Sequence, residues 1–239
     1  MKENIFLIID NSKPPERKYL GKVVEYMNIR GVEYKVVSSV EEFEDASNKA
    51  KIIGAISTGS DYRASTRENI DLSNTVLESL ECPILGICYG FQSIADFYGV
   101  KIDSDEEKCG DFNIDWHDED FWMFKGLDLR NTPLRFCFHD YPTTTPIGFK
   151  TICEIDGKIS GIANDSLKIY GILFHPEENN DFRIKIILEL EESKLIEMFI
   201  NVKFSGGEMS GKLNAKYKFE LADNFNYLIQ KKEIGESEQ

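Results

Sequence analysis

Pro83-Ile84-Leu85-Gly86-Ile87-Cys88-Tyr89-Gly90-Phe91-Gln92 decides how this chain is read. An apolar run ends at a cysteine with a glycine two residues to either side. The helical pattern of Ser93, Ile94, Ala95 and Phe97 follows. Gly86 and Gly90 leave room for a tight turn that presents Cys88 at the carboxyl end of a strand. The start of the next helix offers N–H groups and a partial positive charge, which favour a thiolate. A free cysteine titrates near about 8.5, so a helix terminus and a neighbouring histidine are what would activate it at neutral pH. Taken alone, the stretch fits a buried cysteine with two packing glycines equally well.

Upstream, apolar runs alternate with amphipathic ones. Ile5 to Asp10, Tyr34 to Val37, Ile52 to Ser57 and Ile84 to Ile87 read as strands. Arg17 to Arg30, Glu41 to Lys51 and Ile70 to Leu80 read as helices. Strands separated by helices predict an α/β fold with a mostly parallel central sheet and helices on both faces. Beyond Val100 the pattern changes. Residues 103 to 133 are acidic and aromatic and read as a partly irregular excursion. Its aromatics, among them Phe112 and Phe124, suit core packing or a partner-binding lid.

Leu134 to Phe138, Phe149 to Ile155, Lys158 to Ala163 and Ile169 to Phe174 read as strands of an antiparallel extension to the main sheet, with Asp156-Gly157 as a hairpin turn. Phe182 to Leu190 alternates with period two, as a strand does. Glu191 to Lys203 suits a helix, and Leu221 to Lys232 a last one. The expected division is a main domain, residues 1–204, and a C-terminal extension, residues 205–239, packed on it.

A second polar cluster ends the run Tyr170-Gly171-Ile172-Leu173-Phe174-His175-Pro176-Glu177. His175 has the chemistry of a general base toward a thiol and of a general acid toward a leaving amine. In extended chain, residue 177 faces the same side as residue 175, so Glu177 can orient the imidazole. A His-Pro-Glu by itself is more often a surface turn. Two such clusters at strand ends, in this order, point instead to a Cys88–His175–Glu177 triad.

Composition narrows the rest. The 239 residues carry 28 basic and 42 acidic side chains, a net charge of −14 with no basic patch. Phosphate backbones and anionic lipids are therefore poor partners, and neither nucleic-acid nor membrane binding is expected. With no apolar stretch long enough for a span and no secretory signal, a cytoplasmic location is expected. The cysteines are Cys82, Cys88, Cys109, Cys137 and Cys153. An odd number without a CxxC pair argues against a disulfide framework or a zinc site. Every cysteine but Cys88 is expected to be a small buried apolar residue, and no metal or cofactor is expected.

These residues resemble the class I, triad-type glutamine amidotransferase domains, most of all the amidotransferase part of GMP synthases. The elbow at Cys88 and the strand end at His175-Pro176-Glu177 carry the likeness. Gly54-Ala55-Ile56-Ser57-Thr58-Gly59-Ser60 is similar to the family's oxyanion strand and loop, and Phe124-Lys125-Gly126-Leu127 lies within the matching span, roughly residues 5 to 178. The resemblance implies a flavodoxin-like three-layer sandwich. It also implies that Cys88 attacks the side-chain amide of glutamine to form a γ-glutamyl thioester. The N–H groups of Gly59 and Tyr89 would form the oxyanion hole, and Gln92 and His139 would bind substrate.

Thr58 and Ser60 depart from the glycine and proline common there. Phe138-His139-Asp140-Tyr141 keeps only the histidine of a Ser-His-Gly-Asp pattern found in members that pass ammonia to a nucleotide acceptor. With no GxxxxGK[ST] loop in the chain, ammonia would pass to a separate synthetase subunit. The alternative is a stand-alone γ-glutamyl peptide or conjugate hydrolase of the same fold. A non-catalytic role is disfavoured because all three triad side chains are present.

Overall fold

The computed structural model describes residues 2–15, 17–30, 32–118, 121, 123, 133–178, 185–190 and 194–199. The first half of the chain runs β1 (Glu3–Ile9), α1 (Leu20–Arg30), β2 (Tyr34–Val37), α2 (Val40–Lys49), β3 (Ala50–Ser57), α3 (Ile70–Ser79), β4 (Ile84–Ile87) and α4 (Tyr89–Phe97). The second half is β5 (Ile102–Phe112), β6 (Asp115–Trp116), β7 (Leu134–Pro142), β8 (Lys150–Ile155), β9 (Lys158–Asn164), β10 (Ile169–Ile172), β11 (Lys185–Leu190) and β12 (Lys194–Phe199).

Eight strands form the main sheet in the order β2-β1-β3-β4-β10-β9-β8-β6. The five from β2 to β10 pair in parallel, and β9, β8 and β6 continue the sheet antiparallel. From Ile5 to Ile9 β1 is wholly apolar because both its faces are covered. Phe6 and Ile8 share a core with Leu20, Val23 and Met27 of α1. Leu7 and Ile9, facing the other way, share a core with Phe43 of α2 and Leu72 and Val76 of α3. A period of two with no polar alternate is the pattern of a strand sandwiched between helix layers. The expected three-layer fold is what the chain adopts.

Local chemistry sets the helix ends. Ser39 caps α2, its side chain accepting from the Glu42 N–H at 3.3 Å. Glu41 and Glu42 lie in the first turn and Lys49 in the last, each sign complementing the helix dipole. Asp156 and Gly157, at φ 49° and 69°, make the hairpin turn between β8 and β9 that the Asp-Gly pair predicts.

Three expectations need correction. Residues 102–112 form a long strand rather than an irregular excursion, because β7 supplies the hydrogen-bonding partner that makes an acidic, weakly apolar strand viable. β7 belongs to this two-stranded ribbon and not to the main sheet. Its alternate residues Leu134, Phe136 and Phe138 still turn into the main core. Lys194–Phe199 is a strand rather than part of a helix, since it pairs antiparallel with β11.

The cysteine reading also changes. Cys109 and Cys137, 28 positions apart, lie opposite one another across β5 and β7 and form a disulfide. Cys109 is exposed and Cys137 half-buried, so neither is the buried apolar residue expected. Cys153 is buried as expected, its thiol pushed up to about 12 by burial; Cys82 is half-buried.

Of the aromatics, Phe121 lies in the main core, and Trp116 packs edge-on against Phe174. Trp122, Phe124-Lys125-Gly126-Leu127 and the helix expected at 221–232 fall outside the described residues. Among the described residues no helix is long and apolar enough to cross a membrane.

Candidate active site

Cys88 sits between the last residue of β4 and the first of α4, at φ 50° and ψ −104°. A non-glycine residue with positive φ is held there only where its surroundings over-determine it, and such strain gathers at functional sites. Here the turn is pinned at several points. The Cys88 N–H donates to Ile172 O at 2.8 Å, and the Gln92 N–H closes the first helical turn on Cys88 O at 3.0 Å. A Cβ on Gly86 would lie 2.5 Å from the backbone of Gly90. One on Gly90 would lie 2.8 Å from the Ser57 side chain. The two glycines flanking the elbow are therefore required by close approach of α4 to the sheet.

Adjacency in the sheet brings the second cluster to the same rim. β10 runs parallel to β4 with Gly171 opposite Gly86 and Ile172 opposite Ile87. Both strands leave the sheet at the same edge, one toward Cys88 and the other toward His175. The His175 N–H donates to Arg135 O at 2.7 Å, which ties the histidine to β7. Its Nδ1 lies 2.8 Å from Glu177 Oε1, and both side chains are buried. Its Nε2 is also buried and makes no regular hydrogen bond, which leaves that nitrogen to the neighbouring thiol. Burial lowers the His175 pKa, but the charge of Cys88 and then that of Glu177 outweigh it and hold the imidazole well above its ordinary value. An imidazole so placed holds its proton more readily than a free one.

β3 flanks β4 on the other side and ends at the loop that carries Gly59. A Cβ there would lie 2.9 Å from His175 Cε1 and 3.1 Å from Tyr19 Cδ1, so this backbone lies against the imidazole. Tyr89, the first residue of α4, has an N–H with no partner one turn earlier in its own helix. Cys88 Sγ donates to Cys137 O at 3.6 Å. Gln92 is buried, and its Nε2 donates to Asp140 O at 2.7 Å. His139 is only part-buried and lies with its Nε2 3.3 Å from Glu107 Oε1. Cys88, Gln92 and His139 all line one cavity of about 240 Å³. It suits a small metabolite more than a large ligand.

Sequence reasoning missed four supports. Asn11, fully buried at the end of β1, donates from Nδ2 to Ser57 Oγ at 2.9 Å and to Thr58 O at 2.8 Å. Its N–H donates to Thr58 Oγ1 at 3.0 Å, and its carbonyl accepts from Ser60 Oγ at 2.6 Å. The two unusual loop residues, Thr58 and Ser60, are thus both tied to Asn11. The signal was present, since Asn11 follows the polar Asp10 at the end of an apolar strand. Tyr19 stacks on His175 with ring centroids 5.3 Å apart and donates to Asp61 at 2.9 Å; burial and that bond raise its pKa. Asp140 is buried and paired with Arg63 at 3.3 Å, so one of the three carboxylates in the cavity wall is already matched by a guanidinium.

Comparison with known proteins identifies the family. The profile of the family "Glutamine amidotransferase class-I" matches residues 7–189. A glutamine-hydrolyzing GMP synthase of Candida albicans is 31% identical over 138 residues, 57% of this chain and 26% of that protein. One of Borreliella burgdorferi is 31% identical over 159 residues, 66% of this chain and 30% of that protein. The chain thus spans less than a third of the length of these curated relatives. Among solved structures, a glutamine amidotransferase of Thermotoga maritima superposes with a TM-score of 0.55 at 16% identity. The match covers 72% of this chain and 76% of that one. At that identity the likeness shows the fold.

Proposed function

Since the chain belongs to the class-I glutamine amidotransferase family, we propose that it hydrolyses the side-chain amide of glutamine with Cys88 as nucleophile and releases ammonia. The observation that carries this reading is the placement of Cys88 and His175 on adjacent parallel strand ends, with Glu177 2.8 Å from the far nitrogen of the imidazole.

The steps follow from the chemistry of the groups. The Cys88 thiolate adds to the amide carbon, and the carbonyl π-electrons move onto oxygen. The N–H groups of Gly59 and Tyr89 stabilise that oxyanion, each such donor being worth about 2.7–4 kcal/mol in comparable sites. His175 gives its proton to the departing nitrogen as the C–N bond breaks, leaving ammonia and a γ-glutamyl thioester. A water then gives a proton to His175 as it attacks the thioester. Collapse of the second tetrahedral species returns the thiolate and glutamate. Glu177 acts by holding Nδ1–H and balancing the imidazolium charge. Gln92 and His139 line the cavity in which glutamine would lie.

Residues 1–204 would form this catalytic unit, with 205–239 an extension of it. A separate synthetase subunit is the ammonia acceptor we propose. A cytoplasmic location suits the reading, because a reducing compartment keeps the nucleophile as a free thiol.

The test is direct. Purified chain supplied with glutamine should yield glutamate and ammonia in equal amounts, and mass spectrometry of quenched turnover should find the γ-glutamyl adduct on Cys88. A strong preference for γ-glutamyl peptides or amides over glutamine would replace the reading with that of a stand-alone γ-glutamyl hydrolase. Full activity in Cys88→Ser would overturn both.

A further inference from the structure

The ribbon of β5 and β7 carries a second group of reactive side chains, and apart from His139, which lines the cavity beside Cys88, the proposed glutaminase chemistry does not use them. Cys109 and Cys137 face each other across the strands. Glu107 joins them, and the ligand atoms of all three lie within 4.8 Å of one another. Cys137 Sγ lies 3.9 Å from Glu107 Oε1, and His139 Nε2 lies 3.3 Å from the same carboxylate oxygen. His139 is two residues beyond Cys137, so both side chains leave the same face of β7. A disulfide needs only its two sulfurs. It gives no reason for a carboxylate to converge on the pair with an imidazole against that carboxylate.

Two thiolates and a carboxylate, each supplying one atom, are instead three of the four donors of a tetrahedral zinc-type ion, and the imidazole paired with that carboxylate has the chemistry of the fourth. We propose that Glu107, Cys109, Cys137 and His139 form a redox-gated site for a soft divalent cation, filled when the disulfide is reduced. The balance is simple. Two equivalents of a small thiol reduce the bond between Cys109 and Cys137, supplying two electrons and two protons and leaving one small-molecule disulfide. The cation then displaces both thiol protons as it binds. In a reducing compartment the dithiol is the resting form, and the cation competes with oxidation for the same sulfurs. The inference does not depend on the glutaminase reading, and its test is read without turnover.

The full chain, reduced with a phosphine and stripped with a chelator, should bind one equivalent of cobalt(II) with a near-ultraviolet cobalt–thiolate absorption. Zinc should abolish that absorption by displacement, and the oxidised chain should never develop it. Cys88→Ser should retain the band, whereas Cys109→Ser and Cys137→Ser should lose it. Glu107→Gln and His139→Gln should weaken binding while leaving the charge-transfer band of the two sulfurs, and they decide the matter if a cysteine variant fails to fold. Full affinity in both of those variants would overturn the proposal. So would equal binding by the oxidised chain, no binding by the reduced chain, or a band lost with Cys88→Ser and kept with Cys137→Ser.

Discussion

The side chain of Asn11 donates to the carbonyl of Thr58 at 2.8 Å, joining the end of β1 to the loop that carries Gly59. Backbone geometry at an oxyanion donor matters to a fraction of an ångström, so a buried amide that fixes the loop should act on rate. Asn11→Ala should lower kcat by about 10–100-fold with KM little changed, and should cost about 1–3 kcal/mol of stability from stranded partners. Steady-state kinetics and urea unfolding check this. An unchanged kcat would show that the loop keeps its shape without Asn11.

Glu177 lies buried against the imidazole, and its loss should be costly in two ways. Glu177→Gln should reduce kcat by about 10²–10⁴-fold, the range associated with general acid–base catalysis. Removing one partner of a buried charged pair costs about 3–5 kcal/mol, less where an amide can still hydrogen-bond. A variant with near-normal kcat would show that the carboxylate is structural only.

His175 holds its proton more tightly in the folded chain than in the unfolded one, where imidazole titrates near about 6.5. The stabilisation this brings is full below the unfolded value and is lost as pH rises through the raised pKa of the folded state. The unfolding free energy of the native chain relative to His175→Gln should therefore be larger at about pH 6 than at about pH 10. Repeating the comparison in a Cys88→Ser background should shrink the pH-dependent part, because the larger of the two raising charges is gone. A difference that does not vary with pH would contradict the assignment.

Gly86 and Gly90 are required by contact. Gly86→Ala would press a methyl against the backbone of Gly90, which has no side-chain freedom with which to yield. A destabilisation of about 1–3 kcal/mol or more, with lost activity, is expected from such overpacking. Gly171→Ala is the informative contrast, since its Cβ would meet a side chain, the ring of Phe91 2.5 Å away, rather than backbone. Thermal unfolding of the two variants should show the larger loss at Gly86.

Much of this molecule is written in local pattern. β2 and β4 occupy the residues their apolar runs predict, and β1, β3 and the helices are displaced by only a few positions. Each is specified by side chains within one or two turns of itself. Cys88 was legible for the same reason, since the elbow lies within five consecutive residues. β5 was not, because an acidic strand has no apolar period of its own and exists by virtue of β7.

The sequence by itself determined the alternation of strand and helix, the elbow at Cys88 and the His175–Glu177 pair, all of which arise from neighbours along the chain. Only the tertiary structure decided that Asn11 binds the loop 47 positions away, that Tyr19 stacks on His175, and that Cys109 meets Cys137. Those contacts depend on sheet order and strand register. These are properties of how the elements pack together, and no short window of sequence contains them.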